Sequence, residues 1–179
     1  RLSDRLVEGL VQGPSSLVMD KHNVLYGTTH NGLIVKVMGK NKVVPYLDMN
    51  TNDIAARPMG IAYSKNQQEI FITDLSKGLV RFEPASHKLE VMTTFISKSK
   101  IPIRYANGVA CGPSSGIVYF TDSTDITLKT YDAIHSKYTV NPILSSQMDL
   151  LRGKPSGRLL SYNFETNITK ELMSGLWFA

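Results

Sequence analysis

A motif recurs three times along this chain, about 45 residues apart, and no other feature restricts the fold as strongly. Each copy opens on a turn with Pro or Gly. An apolar strand, a polar turn and an aromatic strand ending in Thr or Thr-Asp follow. A Gly-led strand and a short closing strand complete it. The first copy runs Gly13-Pro14-Ser15-Ser16-Leu17-Val18, Leu25-Tyr26-Gly27-Thr28-Thr29 and Gly32-Leu33-Ile34-Val35. The second runs Arg57-Pro58-Met59-Gly60-Ile61-Ala62, Ile70-Phe71-Ile72-Thr73-Asp74 and Gly78-Leu79-Val80-Arg81-Phe82. The third runs Tyr105-Ala106-Asn107-Gly108-Val109-Ala110, Val118-Tyr119-Phe120-Thr121-Asp122 and Gly157-Arg158-Leu159-Leu160-Ser161-Tyr162. Four short strands at this period describe a β-propeller blade. One blade cannot bury both of its faces, so blades must stack around an axis. The expected class is all-β, with helix below about 15%. Residues 1–179 read as a partial β-propeller, with blades at 13–50, 57–96 and 105–174. The third blade carries an insertion at 123–156, and 175–179 opens a fourth.

Three blades fall short of a closed ring, which needs about four to eight. Phe178-Ala179 repeats the Tyr105-Ala106 step that opens the third copy. The chain therefore reads as roughly the first half of a six-bladed ring. The remaining blades would come from the same or another chain. Its last sheet is expected to expose Val118, Phe120 and Leu160, so that the isolated 179 residues would not be a stable monomer.

The 20 Lys and Arg residues exceed the 15 acidic ones by five, but they are scattered, with no block of like charge. That argues against a nucleic-acid surface. The one cysteine, Cys111, excludes an intrachain disulfide and reads as a small residue on an inner strand. No apolar run reaches the roughly 18–20 residues of a membrane-spanning helix. The chain starts at Arg1 rather than Met, which leaves room for an upstream targeting or anchor segment. Asn167-Ile168-Thr169 is a sequon, and Asn167 would carry a glycan in the secretory pathway.

The runs Gly13-Pro14-Ser15-Ser16-Leu17, Arg57-Pro58-Met59-Gly60-Ile61-Ala62, Ala106-Asn107-Gly108-Val109, Ile117-Val118-Tyr119-Phe120-Thr121-Asp122-Ser123 and Gly157-Arg158-Leu159-Leu160-Ser161-Tyr162 resemble the strictosidine synthase-like family. Adipocyte plasma membrane-associated proteins fall in the same group. The resemblance implies a six-bladed propeller of the superfamily of paraoxonases and gluconolactonases, in which many members are calcium-dependent ester or lactone hydrolases. A strictosidine synthase instead condenses an amine with an aldehyde, using an acid in a late blade, beyond Ala179. The resemblance also implies a membrane-associated or secretory placement on the lumenal or extracellular side, with a cytoplasmic one as the alternative.

The repeat aligns Ser15, Met59 and Asn107 at the starts of the innermost strands, facing the central channel. Asp20, Asn66 and Pro113 would lie on the opposite face. In hydrolytic relatives these starts supply oxygens to Ca2+, and Asn107 is the residue here that matches such a metal ligand. The family commonly has Glu where this chain has Ser15, and the Met59 thioether does not suit calcium. Asn107 reads equally as a turn residue before Gly108. Asp74 and Asp122 invite an acid–base role, but turn caps after their strands are preferred. His22, His30, His87 and His135 are dispersed, without zinc-site spacing. The insertion reads either as a lid over the channel mouth, with Tyr131 and His135 as binding residues and a helix over Ile143 to Arg152 ended by Gly153 and Pro155, or as a disordered insertion. Two functions compete. One is an enzyme acting on a small-molecule substrate, either an ester or lactone hydrolase or a condensing enzyme. The other is a non-catalytic binding propeller with a degenerate site.

Overall fold

A computed structural model describes residues 6–51, 54–66, 68–112, 116–132 and 137–179 of the chain. In chain order its strands begin with β1 (Leu17–Met19), β2 (Leu25–Thr28), β3 (Leu33–Val37) and β4 (Val43–Asp48). The second copy supplies β5 (Pro58–Tyr63), β6 (Ile70–Asp74), β7 (Gly78–Glu83) and β8 (Lys88–Thr93). The third supplies β9 (Ala106–Cys111) and β10 (Ile117–Asp122), then an insertion of β11 (Lys129–Asp132), β12 (Lys137–Val140) and helix α1 (Pro142–Arg152). It closes with β13 (Gly157–Asn163) and β14 (Ile168–Leu176). Strand accounts for 48% of the described residues and helix for 7%. Each copy forms one four-stranded antiparallel sheet, in the orders β1-β2-β3-β4, β5-β6-β7-β8 and β9-β10-β13-β14. The chain is a partial propeller.

Strand alternation explains how the sheets stack. In the second sheet, Ile70, Ile72, Val80 and Phe82 turn toward the first sheet and pack with Tyr26, Ile34, Met49 and Ile61. Phe71 and Leu79 turn the other way, against Val118, Phe120, Leu160 and Tyr162 of the third sheet. This is why β6 reads as an unbroken apolar run: both of its faces are covered. The same parity corrects one expectation. Val118, Phe120 and Leu160 are fully buried between the second and third sheets and are not on an open face. The outward positions of the third sheet are the alternate ones, among them Tyr119 and Leu159. A one-residue shift in phase exchanges the two faces.

Neighbouring sheets are joined at their inner strands by a repeated hydroxyl bridge. Thr28 on β2 accepts the Ser16 N–H at 2.9 Å and donates to the Met59 carbonyl of the next sheet at 3.4 Å. Thr73 on β6 accepts the Gly60 N–H at 2.9 Å and donates to the Asn107 carbonyl. Thr121 on β10 accepts the Gly108 N–H at 3.0 Å, so it stands ready to repeat the pattern. The approach of β5 to β9 requires glycine at position 60, because a Cβ there would collide with the Asn107 carbonyl.

Candidate functional site

The starts of β1, β5 and β9 converge at one end of the stack. Ser15 precedes β1 and is exposed, and its hydroxyl donates to the Met59 sulfur at 3.9 Å. Met59 is half-buried on β5. Asn107 follows on β9, one sheet further, where its amide nitrogen donates to Ser123 Oγ at 3.0 Å. Its Oδ1 meets no donor among the described residues. The three aligned residues thus stand side by side on successive inner strands. Asp20 and Asn66 follow the far ends of β1 and β5. Pro113 and His135 lie outside the described residues.

These three side chains offer one amide oxygen, one hydroxyl and one thioether. Calcium takes six to eight oxygens, mostly from carboxylates and carbonyls. By themselves they do not fit that ion. Among the described residues no three His, Cys, Asp or Glu side chains are grouped as a metal site.

Asp74 and Asp122 have a different job from acid–base chemistry. Asp74 Oδ2 accepts the Arg57 N–H at 2.7 Å, and its Oδ1 accepts from Ser76 and Lys77 at 2.8 and 3.0 Å. Asp122 Oδ1 accepts from Tyr105 and Arg104 at 2.6 and 3.1 Å, and its Oδ2 is paired with Arg158. Each carboxylate therefore ties the end of a second strand to the residue before its inner strand. Burial pushes both carboxyl pKa values up, and the backbone donors work against that shift. Thr29, at the matching place in the first copy, instead donates to the Leu33 carbonyl at 2.9 Å.

The insertion covers this end of the stack. Asn141 caps α1 by accepting the Leu144 N–H at 2.9 Å, Pro142 starts the helix, and Gly153, at φ 62°, ends it. The helix turns polar side chains inward. Asp149 is buried and accepts from Thr124 at 2.6 Å, Arg152 at 3.0 Å and Ser156 at 3.2 Å. Leu150 and Leu151, in contrast, are 76% and 79% exposed. The β11–β12 hairpin spans the inner-strand starts. At one end Val140 is buried against Leu75 and Tyr105, beside Met59, and the Tyr105 hydroxyl donates to the Pro142 carbonyl at 3.4 Å. At the other end the Lys137 ammonium donates to the Thr51 carbonyl at 2.8 Å. Alternation places Tyr131, Tyr138 and Val140 on one side of the hairpin and Lys137 and Thr139 on the other. Tyr131 packs edge-on to Tyr138 at 5.2 Å and remains 56% exposed. Under the Lys137 side lies a cavity of about 450 Å³ lined by His30, Asp48, Asn50, Ala56, Lys137 and Thr139 among others.

Three residues at this end were missed in reading the motifs. Ser123 holds Asn107 and also donates to the Ala179 carbonyl. Lys77 is buried, and its ammonium donates to the Met49 carbonyl. Arg57 is buried at the entrance to β5, where the third copy has Tyr105. For Arg57 the available signal was a charge at a repeat position held by Gly13 in the first copy and Tyr105 in the third. Asn167 sits on the exposed turn between β13 and β14, accepting from the Tyr162 hydroxyl at 2.7 Å, while Thr169 is buried against Thr93.

No family model matches the chain. Similar curated proteins include strictosidine synthase-like 7 of Arabidopsis thaliana, 30% identical over 96% of this chain and 42% of that protein. The adipocyte plasma membrane-associated protein Hemomucin of Drosophila melanogaster is 27% identical over 99% of this chain and 30% of its own length. The Rattus norvegicus adipocyte plasma membrane-associated protein is 27% identical, over 99% and 45%. The chain thus spans less than half the length of the relatives it matches. Among solved structures, a chain of a nidogen/laminin complex superposes with a TM-score of 0.60 at 15% identity, over 93% of this chain and 51% of that one. That likeness concerns the fold alone. The chain is homologous over nearly its whole length to the strictosidine synthase-like and adipocyte plasma membrane-associated proteins, and it folds as part of a propeller.

Proposed function

We propose that this chain forms part of a propeller enzyme that acts on a small organic molecule at the channel mouth, by ester or lactone hydrolysis or by amine–aldehyde condensation. One observation carries the reading. The insertion of the third sheet is folded across the inner-strand starts and fixed at both ends, by Tyr105 to Pro142 and by Lys137 to Thr51. A roof over convergent polar and aromatic side chains is how small-molecule sites are built. The homology supports the same class of function. A catalytic acid, and the oxygen ligands any calcium ion would need, would come from further blades of the same or another chain.

A second reading is a binding propeller without chemistry. The Ser15–Met59 contact favours it, because two of the aligned positions satisfy each other and offer no cation ligand. The names of the relatives support a membrane-associated or secretory placement, with Asn167 on its exposed turn as a glycan acceptor. Among the described residues no helix is long and apolar enough to cross a membrane.

Asn107 separates the two. The full-length protein is assayed for hydrolysis of phenyl acetate and of a simple lactone, with metal content measured alongside. Asn107→Ala is expected to lower kcat/KM at least tenfold, about 1.4 kcal/mol, while Asn107→Asp, which keeps an oxygen, retains part of the activity. Tm is read for each variant. Unchanged activity per folded molecule in Asn107→Ala would leave the binding propeller as the better reading.

A further inference from the structure

We infer that the outward face of α1 is a membrane-contact surface, which seats in the interface of an anionic bilayer and brings the channel mouth to the lipid. The inference goes beyond a membrane-associated placement, since an anchor elsewhere in the protein would satisfy that placement without bringing this face to a bilayer. It holds for an enzyme and for a binding propeller alike.

The helix is held by its polar side. Ser145 Oγ accepts the Leu128 N–H at 3.0 Å and donates to the Asn141 carbonyl at 2.8 Å. Asp149 accepts from Thr124, just after β10, and from Ser156, just before β13. The packed face therefore rests on the end of the third sheet, and the opposite face points away from the stack. That face carries Ile143, Leu144, Met148, Leu150 and Leu151, which helical periodicity gathers into one stripe. Ile143, Leu150 and Leu151 are 68%, 76% and 79% exposed. The bonds of Ser145 and Asp149 keep the helix from rolling over to bury them.

Further blades do not account for the stripe. Blades stack face to face around the axis, so the next one takes the open face of the third sheet and not its end. A second copy of the chain does not account for it either. Eleven residues make a helix about 16 Å long, and one stripe of that length falls far below the ~800 Å² per partner of a specific interface. A bilayer interface asks for no such area. It takes a short apolar helix face flanked by cations. The cations are in place. Arg152 is paired with both Asp125 and Asp149. Lys154, two residues past the helix, and Lys129, next to the Leu128 that bonds Ser145, are exposed beside it. The chain as a whole carries a formal charge of +5, which draws it to anionic lipid.

The test places the environment-sensitive fluorophore NBD on single cysteines of the full-length protein, with Cys111 and any other cysteine replaced by Ser. One cysteine is Leu151→Cys on the stripe. The control is Glu165→Cys, on the turn after β13 at the opposite end of the sheet. Vesicles of phosphatidylcholine and phosphatidylserine, with and without doxyl-labelled lipid, are added to each. Emission at position 151 is expected to rise at least about twofold and to be quenched by the doxyl lipid, while position 165 stays unchanged. Ile143→Asp with Leu150→Asp should remove the response at 151 with a melting temperature near that of the parent, because both sites are exposed. If that variant does not fold, the comparison of 151 with 165 still decides. No response at 151 would overturn the inference, even where the protein pellets with the vesicles, and pelleting would then belong to an anchor elsewhere. Equal responses at 151 and 165 would overturn it too. So would a rise at 151 that depends on protein concentration and not on lipid, which would assign the stripe to a second copy. The hydrolysis assay decides the enzymatic reading separately.

Discussion

The hydroxyl of Thr73 is a single atom on which two sheets depend. It takes the buried Gly60 N–H and gives its own proton to the Asn107 carbonyl. Thr73→Val keeps the shape and orphans both groups, so it should lower stability by about 1–3 kcal/mol in urea unfolding. Thr121→Val in the 179-residue chain should lower it by less than about 1 kcal/mol, since the Gly108 it serves is exposed. Equal effects in that chain would show that the inter-sheet bridge carries no weight. Cys111 yields a second residue-scale prediction. It is half-buried, and burial pushes its thiol up to about 11. The sign is simple: the neutral thiol is favoured, so thiolate is scarce below that pH. At pH 8 its alkylation by iodoacetamide should be about 100-fold slower in the native protein than in urea, rising with pH. Rapid native labelling would refute this.

At the scale of the element, α1 inverts the usual amphipathic helix. Its packed face is made by Ser145 and Asp149, and its solvent face by Ile143, Leu150 and Leu151. The energetics should invert with it. Asp149→Ala removes a carboxylate that receives three hydrogen bonds and should loosen the helix by about 2–4 kcal/mol. Leu150→Ala should stay within about 0.5 kcal/mol. Limited trypsin cleavage after Arg152 measures both, and faster cleavage in Leu150→Ala than in Asp149→Ala would contradict this account.

As a whole molecule the chain has a middle sheet covered on both faces and two outer sheets each covered on one. Leu17 and Met19 are exposed on the first sheet, and Leu172, Met173 and Trp177 on or after the last strand. Apolar exposure of this kind drives association. The purified 179 residues should therefore sediment as oligomers or aggregates at micromolar concentration. A monomer with one sharp, cooperative melt would disprove it. The same argument makes Thr121→Val informative a second time. In a full-length protein with another sheet on β10, its effect should rise to that of Thr73→Val.

Period and alternation determined the sheets. Strands such as Ile70–Asp74 are set by local pattern, and the turn residues around them leave few choices of pairing. The helix was legible for the same reason, since Gly153 and Pro155 end it within a few residues of sequence. Which face of the third sheet is buried was not legible. Parity within a strand fixes which residues go together but not which neighbour they meet, and so Val118, Phe120 and Leu160 were assigned to the wrong side. The aligned Ser15, Met59 and Asn107 followed from the repeat, and the capping of the turn after β6 by Asp74 followed from its place at the end of that strand, whereas its tie to Arg57, the ties of Asp122 to Tyr105 and Arg158, and the burial of Arg57 did not. A carboxylate bound by backbone N–H groups and a guanidinium left without an acceptor differ only in what surrounds them, and those surroundings are assembled from residues far apart in sequence. That assembly exists only once the sheets have stacked.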